Sequence, residues 1–328
     1  MRILVCGGAG FIGSHFVKRL LLAEDEVVVL DKFTYAGNEA NLPADVEVIR
    51  GDIAVVEDVG RAGDVDAIVN FAAETHVDRS ILGAAEFIQT DVLGTYVLLR
   101  YAADAAARFV QVSTDEVYGD VELGYSSRED DRLVPSSPYS ASKAGGDLQV
   151  LAAVRTFGVN ASITRGSNTY GPNQYPEKIL PLFVTNALDG QPLPLYGDGR
   201  QVRDWLHVDD HCAGIELVLR AGRSGEIYNI GADEEHENAE LAQRIIELTA
   251  ADSGLIRHVE DRAGHDRRYS LDTTKLRGLG WTPRRSWDEG LRSTVQWYST
   301  NREWWEPIKR SGGYREYYHR QYAERLSG

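Results

Sequence analysis

Short apolar runs alternate with helix-like segments along the first half of the chain. The runs cover residues 3–7, 26–31, 46–52, 67–73, 109–114 and 161–165. They lack the polar alternation of a half-exposed strand, so they predict strands buried on both faces, as in a parallel sheet covered by helices. Strand–helix repetition of this kind predicts right-handed crossovers and an α/β fold with a doubly wound parallel sheet of the Rossmann type.

The pattern changes after about Asn168, where proline and glycine interrupt residues 170–199. No internal repeat or flexible linker divides the chain, so two interleaved lobes are expected. Residues 1–168 should form the sheet domain, and a segment at about 204–232 should return to it. Residues 169–328 should mainly form a smaller α/β lobe.

Composition narrows the classes of partner. The 328 residues carry 35 Lys and Arg against 50 Asp and Glu, a net charge of −15, which disfavours nucleic acids and acidic membrane surfaces. No apolar run is long enough to cross a membrane, and the N-terminus starts a strand rather than a signal peptide. The two cysteines, Cys6 and Cys212, make no disulfide framework. A cytoplasmic protein that binds small molecules, without a metal site, is therefore expected.

A glycine-rich turn follows the first apolar run. Gly8, Gly10 and Gly13 fit G-x-G-x-x-G, and Gly7 extends the pattern. Such a turn brings backbone N–H groups and a helix N-terminus close to a pyrophosphate, although any strand-to-helix turn can use glycine. Asp31 ends the second run, where a carboxylate accepts hydrogen bonds from both ribose hydroxyls and favours NAD over NADP.

Tyr139 and Lys143 are spaced to share one face of a helix. A lysine ammonium beside a phenol lowers its pKa, which would make Tyr139 a base for an alcohol proton as hydride leaves. The same spacing also occurs by chance on helix surfaces. The glycine-rich turn earlier in the chain favours the catalytic interpretation.

Thr114, Asp115 and Glu116 end the fifth run, at the sheet edge where ligands bind in open α/β sheets. The two acids could simply satisfy free N–H groups at a helix start. They could instead form an acid and a base, one kept protonated and one ionised by unlike surroundings. Alcohol oxidation needs only the threonine and the tyrosine, so two further carboxyls suggest a second chemical step.

These motifs together resemble those of the extended short-chain dehydrogenase/reductases. Within them, Thr114 to Glu116, Tyr175 to Lys178 and Gly264 to Tyr269 are similar to the dTDP-glucose 4,6-dehydratases. The resemblance implies a tightly held NAD, regenerated in each cycle, and a homodimer formed through helices near Tyr96 and Leu148. It also implies a reaction in which C4 is oxidised, water leaves across C5 and C6, and hydride returns to C6.

The resemblance also implies two sets of binding residues. Those expected around NAD are Gly7, Gly10, Phe11, Ile12, Gly13, Asp31, Lys32, Phe33, Thr34, Asp52, Ile53, Phe71, Ala72, Ala73, Glu74, Thr90, Tyr139, Lys143 and Thr169. Those expected around the sugar nucleotide are Thr75, Thr114, Asn168, Lys178, Ile179, Pro194, Leu195, Tyr196, Arg203, Asn238, His265, Asp266, Arg267, Arg268 and Tyr269.

Several alternatives stay open at this level. Arg267 and Arg268 could bind a diphosphate or form surface ion pairs, and Asn238 could simply cap a helix. Thr169 stands where the family uses asparagine, which puts a contact on the nicotinamide side in doubt. A 4-epimerase, a 4,6-dehydratase for a UDP- or GDP-sugar, and a non-catalytic nucleotide-binding module are the competing functions.

Overall fold

The computed structural model of the chain describes residues 1–327. The strands are β1 (Arg2–Cys6), β2 (Glu26–Asp31), β3 (Glu47–Arg50), β4 (Ala67–Asn70), β5 (Arg108–Thr114), β6 (Ala161–Gly166), β7 (Asn168–Tyr170), β8 (Leu193–Tyr196), β9 (Val202–His207), β10 (Ile227–Ile230), β11 (Glu235–Glu237) and β12 (Ile256–Val259). The helices are α1 (Phe11–Leu22), α2 (Val56–Gly60), α3 (Val77–Leu82), α4 (Ala85–Ile88), α5 (Thr95–Asp104), α6 (Pro138–Phe157), α7 (Ile179–Leu188), α8 (Val208–Ala221), α9 (Asn238–Thr249), α10 (Thr274–Arg277), α11 (Trp287–Thr300), α12 (Arg302–Arg310) and α13 (Gly312–Ser327).

Seven strands form the main sheet in the order β10-β6-β5-β4-β1-β2-β3, and every neighbouring pair is parallel. Each face of this sheet carries its own apolar core, and every residue of β5 is buried. The predicted doubly wound Rossmann sheet is confirmed. Its uniformly apolar strands follow from the helices that cover both faces.

The order of the sheet reverses at β1, which pairs with β2 on one side and β4 on the other. Cys6 lies opposite Leu30 and Asn70, and Thr114 lies opposite Gly166. The carboxyl ends of five strands therefore meet at one edge, where open α/β sheets bind their ligands.

The second lobe contains two small sheets, β11-β9-β7 and β12-β8. Helices α7, α9 and α11 pack around them in a core of their own. Between these elements the chain returns to the main sheet, because α8 packs on it and β10 forms its edge strand. No helix within residues 1–327 is long and apolar enough to span a membrane.

Candidate active site

The glycine-rich turn joins β1 to α1 at the sheet edge. Gly7 has a φ of +72°, and a Cβ there would lie 2.6 Å from the backbone nitrogen of Ala72. A Cβ on Gly13 would lie 2.3 Å from the carbonyl oxygen of Gly7. The turn is therefore close-packed against its surroundings, and it leaves the N-terminus of α1 facing a cleft.

Asp31 ends β2 beside this turn. Its Oδ2 accepts a hydrogen bond from the Ala9 N–H at 2.9 Å, and its Oδ1 accepts one from the Phe33 N–H at 2.7 Å. Burial raises the pKa of Asp31, and these two N–H groups oppose the rise. Next to it, Lys32 pairs with Asp52 at 2.8 Å.

A cleft runs along the sheet edge in three connected compartments. The cofactor compartment, about 90 Å³, extends from Asp31 and Asp52 to Thr90. The central compartment, about 240 Å³, contains Tyr139 and Glu116. It shares Gly7, Gly10, Ala36, Phe71, Ala73 and Thr75 with the cofactor compartment. The outer compartment, about 130 Å³, lies in the second lobe and shares Glu116, Asn168 and Lys178 with the central one.

Thr114 places the two acids at the end of β5. It caps the short 3-10 helix Asp115–Val117, because its Oγ1 accepts a hydrogen bond from the Glu116 N–H at 3.3 Å. The same hydroxyl donates to Oδ1 of Asp115 at 3.1 Å, whereas Oδ2 of Asp115 is buried without a hydrogen-bond partner. Burial and the neighbouring Glu116 raise the pKa of Asp115 well above its usual value. These surroundings thus favour the neutral acid form of Asp115, and one of its oxygens has no hydrogen-bond partner.

Glu116 has different surroundings. Burial raises its pKa, but the positive charges of Arg262, Arg203 and Lys178 oppose the rise. The adjacent carboxyls therefore face unlike environments, because Arg203 acts on both, whereas Arg262 and Lys178 also act on Glu116. This difference favours an ionised Glu116 beside a protonated Asp115.

Helix α6 presents Tyr139 and Lys143 to the central compartment. The helix begins with a capping box between Ser137 and Ser140. Nζ of Lys143 donates to the carbonyl oxygen of Val112 at 2.9 Å.

The pKa of Tyr139 is raised overall, contrary to the lowered pKa expected for a tyrosine beside Lys143. Burial, followed by nearby carboxylates such as Glu116 and Asp91, raises this pKa well above its usual value, and a hydrogen bond with Thr114 opposes the rise.

Residues of the second lobe line the outer compartment. The Arg203 guanidinium donates to the carbonyl oxygens of Val202 at 2.7 Å and Asp266 at 2.9 Å, and it lies 4.2 Å from the centre of the Tyr269 ring. His265 contacts Asp261 through Nδ1 at 2.6 Å, and burial lowers its pKa to about 4. An arginine and a neutral imidazole thus flank this compartment at pH 7.

The cleft brings most of the sequence-predicted residues together. All those expected around NAD line the cofactor or central compartment except Phe33. Those expected around the sugar nucleotide that line the central or outer compartment are Thr75, Thr114, Asn168, Lys178, Ile179, Pro194, Tyr196, Arg203, Asn238, His265 and Tyr269. Their binding roles remain predictions. Asn238 does not act as a cap, because Glu237 holds the cap position of α9.

Five predicted residues lie outside the lining of the cleft. The Phe33 ring packs under the Arg50 guanidinium at 4.2 Å, and Leu195 is buried in the core of the second lobe. Asp266 accepts hydrogen bonds from Ser136 and from the Tyr269 hydroxyl, both at 2.6 Å.

The arginine pair is engaged elsewhere. Arg267 pairs with Asp198 at the surface, at 2.8 Å. Arg268 forms a bidentate pair with Glu235, at 2.8 and 2.6 Å, and donates to two loop carbonyls. The surface ion-pair alternative therefore describes Arg267, and Arg268 is a buried link between segments. Neither arginine is included in the proposed substrate site.

The structure adds residues that the sequence reasoning missed. Arg262 lines the outer compartment, where its Nε is buried without a hydrogen-bond partner and its Nη1 lies 3.0 Å from Oδ1 of Asp78. Asp91 lies below Lys143, with a distance of 4.0 Å from its Oδ1 to Nζ. His211 contacts Oγ1 of Thr169 through Nδ1 at 2.7 Å. Of these three residues, only Arg262 lies near a motif recognised in the sequence, because it comes three positions before His265.

Comparison with known proteins places the chain among nucleotide-sugar enzymes. The family model described as GDP-mannose 4,6 dehydratase matches residues 4–294. The chain is 52% identical over 325 residues to a dTDP-glucose 4,6-dehydratase of Streptomyces niveus, covering 94% of this chain and 96% of that protein. The crystal structure of DesIV, a dTDP-glucose 4,6-dehydratase from Streptomyces venezuelae with NAD and TYD bound, superimposes with a TM-score of 0.92 at 55% identity, covering 94% of this chain and 100% of that chain. The UDP-glucose 4-epimerase of Thermus thermophilus in complex with NAD reaches 0.88 at 32% identity, covering 92% and 100%.

Proposed function

The chain belongs to the dTDP-glucose 4,6-dehydratase family, and we propose that it converts dTDP-glucose to dTDP-4-keto-6-deoxyglucose. It is an NAD-dependent hydro-lyase that acts on a sugar nucleotide. The observation that carries the proposal is the pair Asp115 and Glu116, which have unlike surroundings beside Tyr139 in one cavity. An elimination needs an acid and a base at once, and this pair supplies both.

The residues of the cleft fit NAD. A glycine-rich turn packed tightly enough to exclude side chains, a helix N-terminus and the Asp31 carboxylate line one groove that leads to Tyr139 and Lys143. The turn suits a pyrophosphate and the carboxylate suits ribose hydroxyls. When bound, NAD accepts a hydride from the sugar and later returns it, so the overall dehydration needs no external oxidant.

The first step removes a proton from the C4 hydroxyl. Tyr139 accepts that proton as the C4–H bond breaks, and Thr114 lies in the same compartment to orient the hydroxyl. Lys143, fixed by the Val112 carbonyl, is placed to hold the ribose next to the reacting sugar. The step leaves a ketone at C4, which acidifies the proton at C5.

The second step eliminates water. The Glu116 carboxylate removes the C5 proton, the C5–C6 double bond forms, and Asp115 donates its proton to the departing C6 hydroxyl. Free Oδ2 on Asp115 is available for this donation. The hydride then returns to C6, and Glu116 gives a proton back to C5, which restores the base. Before the next cycle Tyr139 releases to solvent the proton that it took from the C4 hydroxyl, and Asp115 takes one up from solvent, which restores both groups.

The outer compartment would hold the nucleotide. Lys178 and Arg203 bring positive charge next to the central compartment, which suits a diphosphate. Farther out, Ile179, Pro194 and Tyr196 offer apolar and aromatic surface for the nucleoside. We therefore propose that these residues bind the substrate. Residues 1–168 and 204–232 would form the domain that binds the cofactor.

Two further features belong to the proposal. Apolar side chains lie exposed on the paired helices α5 and α6, with Tyr96 46% and Leu148 57% accessible, which suits a homodimer formed through these helices. Cys6 and Cys212 are buried free thiols, which suits a reducing cytoplasm.

A 4-epimerase is the second candidate, because the Thermus enzyme shares the fold at 32% identity. Epimerisation keeps the mass of the sugar nucleotide, whereas dehydration removes one water. Mass spectrometry after incubation with dTDP-glucose, UDP-glucose and GDP-mannose separates the candidates. We expect loss of water from dTDP-glucose. Loss of water only from UDP-glucose or only from GDP-mannose would refute the assigned base. An unchanged mass with inverted configuration at C4 would refute dehydration.

A further inference from the structure

The C-terminal helix α13 closes the nucleoside end of the outer compartment. Tyr322 of this helix lines the compartment beside Pro194 and Tyr196. The family-model match ends at residue 294, so this wall comes from a segment that the general family pattern leaves out. The residues of α13 can therefore set properties of the site that differ between relatives.

Three hydrogen bonds converge on the Tyr196 hydroxyl. It donates to Oδ2 of Asp78 at 3.0 Å, and it accepts from Nε2 of Gln321 at 2.6 Å and from Nη1 of Arg325 at 3.2 Å. One O–H donor and two lone pairs allow three such bonds, and the Tyr322 hydroxyl of the same helix is a further group within reach of this oxygen. Two of the three partners come from α13.

Gln321 uses both protons of its amide in this arrangement. Besides the Tyr196 hydroxyl, its Nε2 donates to Oδ2 of Asp78 at 3.0 Å. Asp78 is 2% exposed, and its other oxygen holds Arg262 at 3.0 Å. Gln321 thus bridges a buried carboxylate and a ring hydroxyl, which fixes both against the cavity.

The ring of Tyr196 is held on its other sides as well. The Arg325 guanidinium lies 5.3 Å from its centre, and the His265 ring meets it at 5.9 Å and 82°. The ring is thus an aromatic wall whose orientation depends on its hydroxyl. An aromatic face with a fixed orientation binds a flat heterocycle better than a mobile one, because less side-chain entropy is lost on binding.

We propose that Gln321 is a positioning residue that fixes the Tyr196 ring in the wall of the outer compartment and thereby sets the affinity for the nucleoside of the substrate. This inference rests on the proposed function, because it takes the ligand of this compartment to be a nucleoside diphosphate. Without the amide, Tyr196 and Asp78 each lose a donor, and the ring can turn away from the bound base.

Binding of dTDP to the NAD-loaded protein tests this role by calorimetry. We expect Gln321→Leu to raise the Kd for dTDP about five- to tenfold, because the two hydrogen bonds that it removes order the wall of the compartment and do not contact the ligand. Inorganic pyrophosphate, measured by its competition with dTDP, should keep its Kd within about twofold. Glu316→Gln, an exposed change on the same helix, is the matched control and should leave both constants unchanged.

Other results would overturn the proposal. An unchanged Kd for dTDP in Gln321→Leu, or an equal loss of dTDP and pyrophosphate binding, would mean that Gln321 does not act on the nucleoside. Should the leucine variant fail to fold, Gln321→Glu replaces it. This variant keeps the size of the side chain but lacks the N–H groups, and it must show the same selective loss.

The same experiment separates this inference from the proposed function. If the wild-type protein binds UDP or GDP but not dTDP, the assignment of thymidine is wrong. The effect of Gln321→Leu on the Kd of the nucleotide that does bind then still tests the role of Gln321. If the protein binds dTDP but does not dehydrate dTDP-glucose, the proposed reaction is wrong and the role of Gln321 is still tested by dTDP binding. If it binds none of the three nucleotides, both the proposed function and the role of Gln321 are refuted.

Discussion

Oδ1 of Asp91 lies 4.0 Å from Nζ of Lys143, beneath the helix that carries Tyr139. Asp91 is buried, and its Oδ2 accepts a hydrogen bond from Ser142 at 2.6 Å. Burial raises its pKa to about 6, although Lys143 and Ser142 oppose the rise. The same negative charge raises the pKa of Tyr139. Asp91 therefore holds the lysine in place and makes the tyrosine a weaker acid.

Asp91→Asn should make Tyr139 easier to ionise. The amide can still accept from Ser142, but it removes a negative charge near Tyr139 and leaves the Lys143 ammonium without that partner, and both changes favour phenolate. We expect the acidic limb of the pH dependence of kcat to move down by about one pH unit. The difference should vanish below pH 6, the approximate pKa of Asp91, because the wild-type carboxyl is then protonated as well.

The control for this prediction is Asp104→Asn, an exposed aspartate at the end of α5. Its pH profile should match that of the wild type. A limb that stays in place in Asp91→Asn, or that moves to higher pH, would contradict the role assigned to Asp91.

Substitutions of Asp115 and Glu116 should block the elimination at different points. In heavy water, Glu116→Gln should abolish deuterium entry at C5 and product formation together, because the base is gone. Asp115→Asn keeps the base but lacks the acid, so product formation should fall by about 10²- to 10⁴-fold. Recovered dTDP-glucose should then gain deuterium at C5 faster than product forms. The reverse pattern in the two variants would exchange the two roles.

Alanine substitutions of Gly10 and Gly13 should have different effects, the first on NAD binding and the second on stability. A Cβ on Gly10 meets only the Gly7 carbonyl, at 3.2 Å, but it enters the cofactor groove. Gly10→Ala should therefore unfold near the wild-type temperature and be purified with little NAD. Gly13→Ala places its Cβ 2.3 Å from the same carbonyl and should cost about 1–3 kcal/mol of stability. Thermal melting and the NAD content of the purified proteins check both; full NAD content in Gly10→Ala would contradict the proposed groove.

Leu148 should lie in the dimer interface. Leu148→Asp buries a charge in an apolar contact between α6 helices, so light scattering should report half the wild-type mass. Leu123 is 92% exposed on a loop, and Leu123→Asp is the matched control with unchanged mass. A dimer that survives Leu148→Asp, or a wild-type monomer, would contradict the proposed assembly.

The sequence predicted those features that depend on neighbours along the chain. Local sequence patterns predicted the glycine turn, the position of Asp31 at the end of β2, the Thr114–Glu116 segment and the Tyr139–Lys143 spacing. Contacts made at long range were not predictable in this way: Asp91 meets Lys143 across 52 positions, and Arg262 meets Asp78 across 184.

Long-range pairing also explains where sequence reasoning went astray. The sequence left open whether Arg267 and Arg268 bind a diphosphate or form ion pairs, and their guanidinium groups pair with Asp198 and Glu235, which come from other elements. The raised pKa of Tyr139 was not predictable either, since it depends on burial and on carboxyls that the fold gathers around the phenol.

Turnover in heavy water without added NAD tests the central claim most directly. The purified protein is mixed with dTDP-glucose, and the sugar is followed by NMR. The account predicts a 4-keto-6-deoxy sugar nucleotide with deuterium at C5, because Glu116 exchanges its proton with solvent and the cofactor stays bound between cycles. A product with inverted C4 that keeps its C6 oxygen, or unchanged dTDP-glucose even after NAD is supplied, would contradict it.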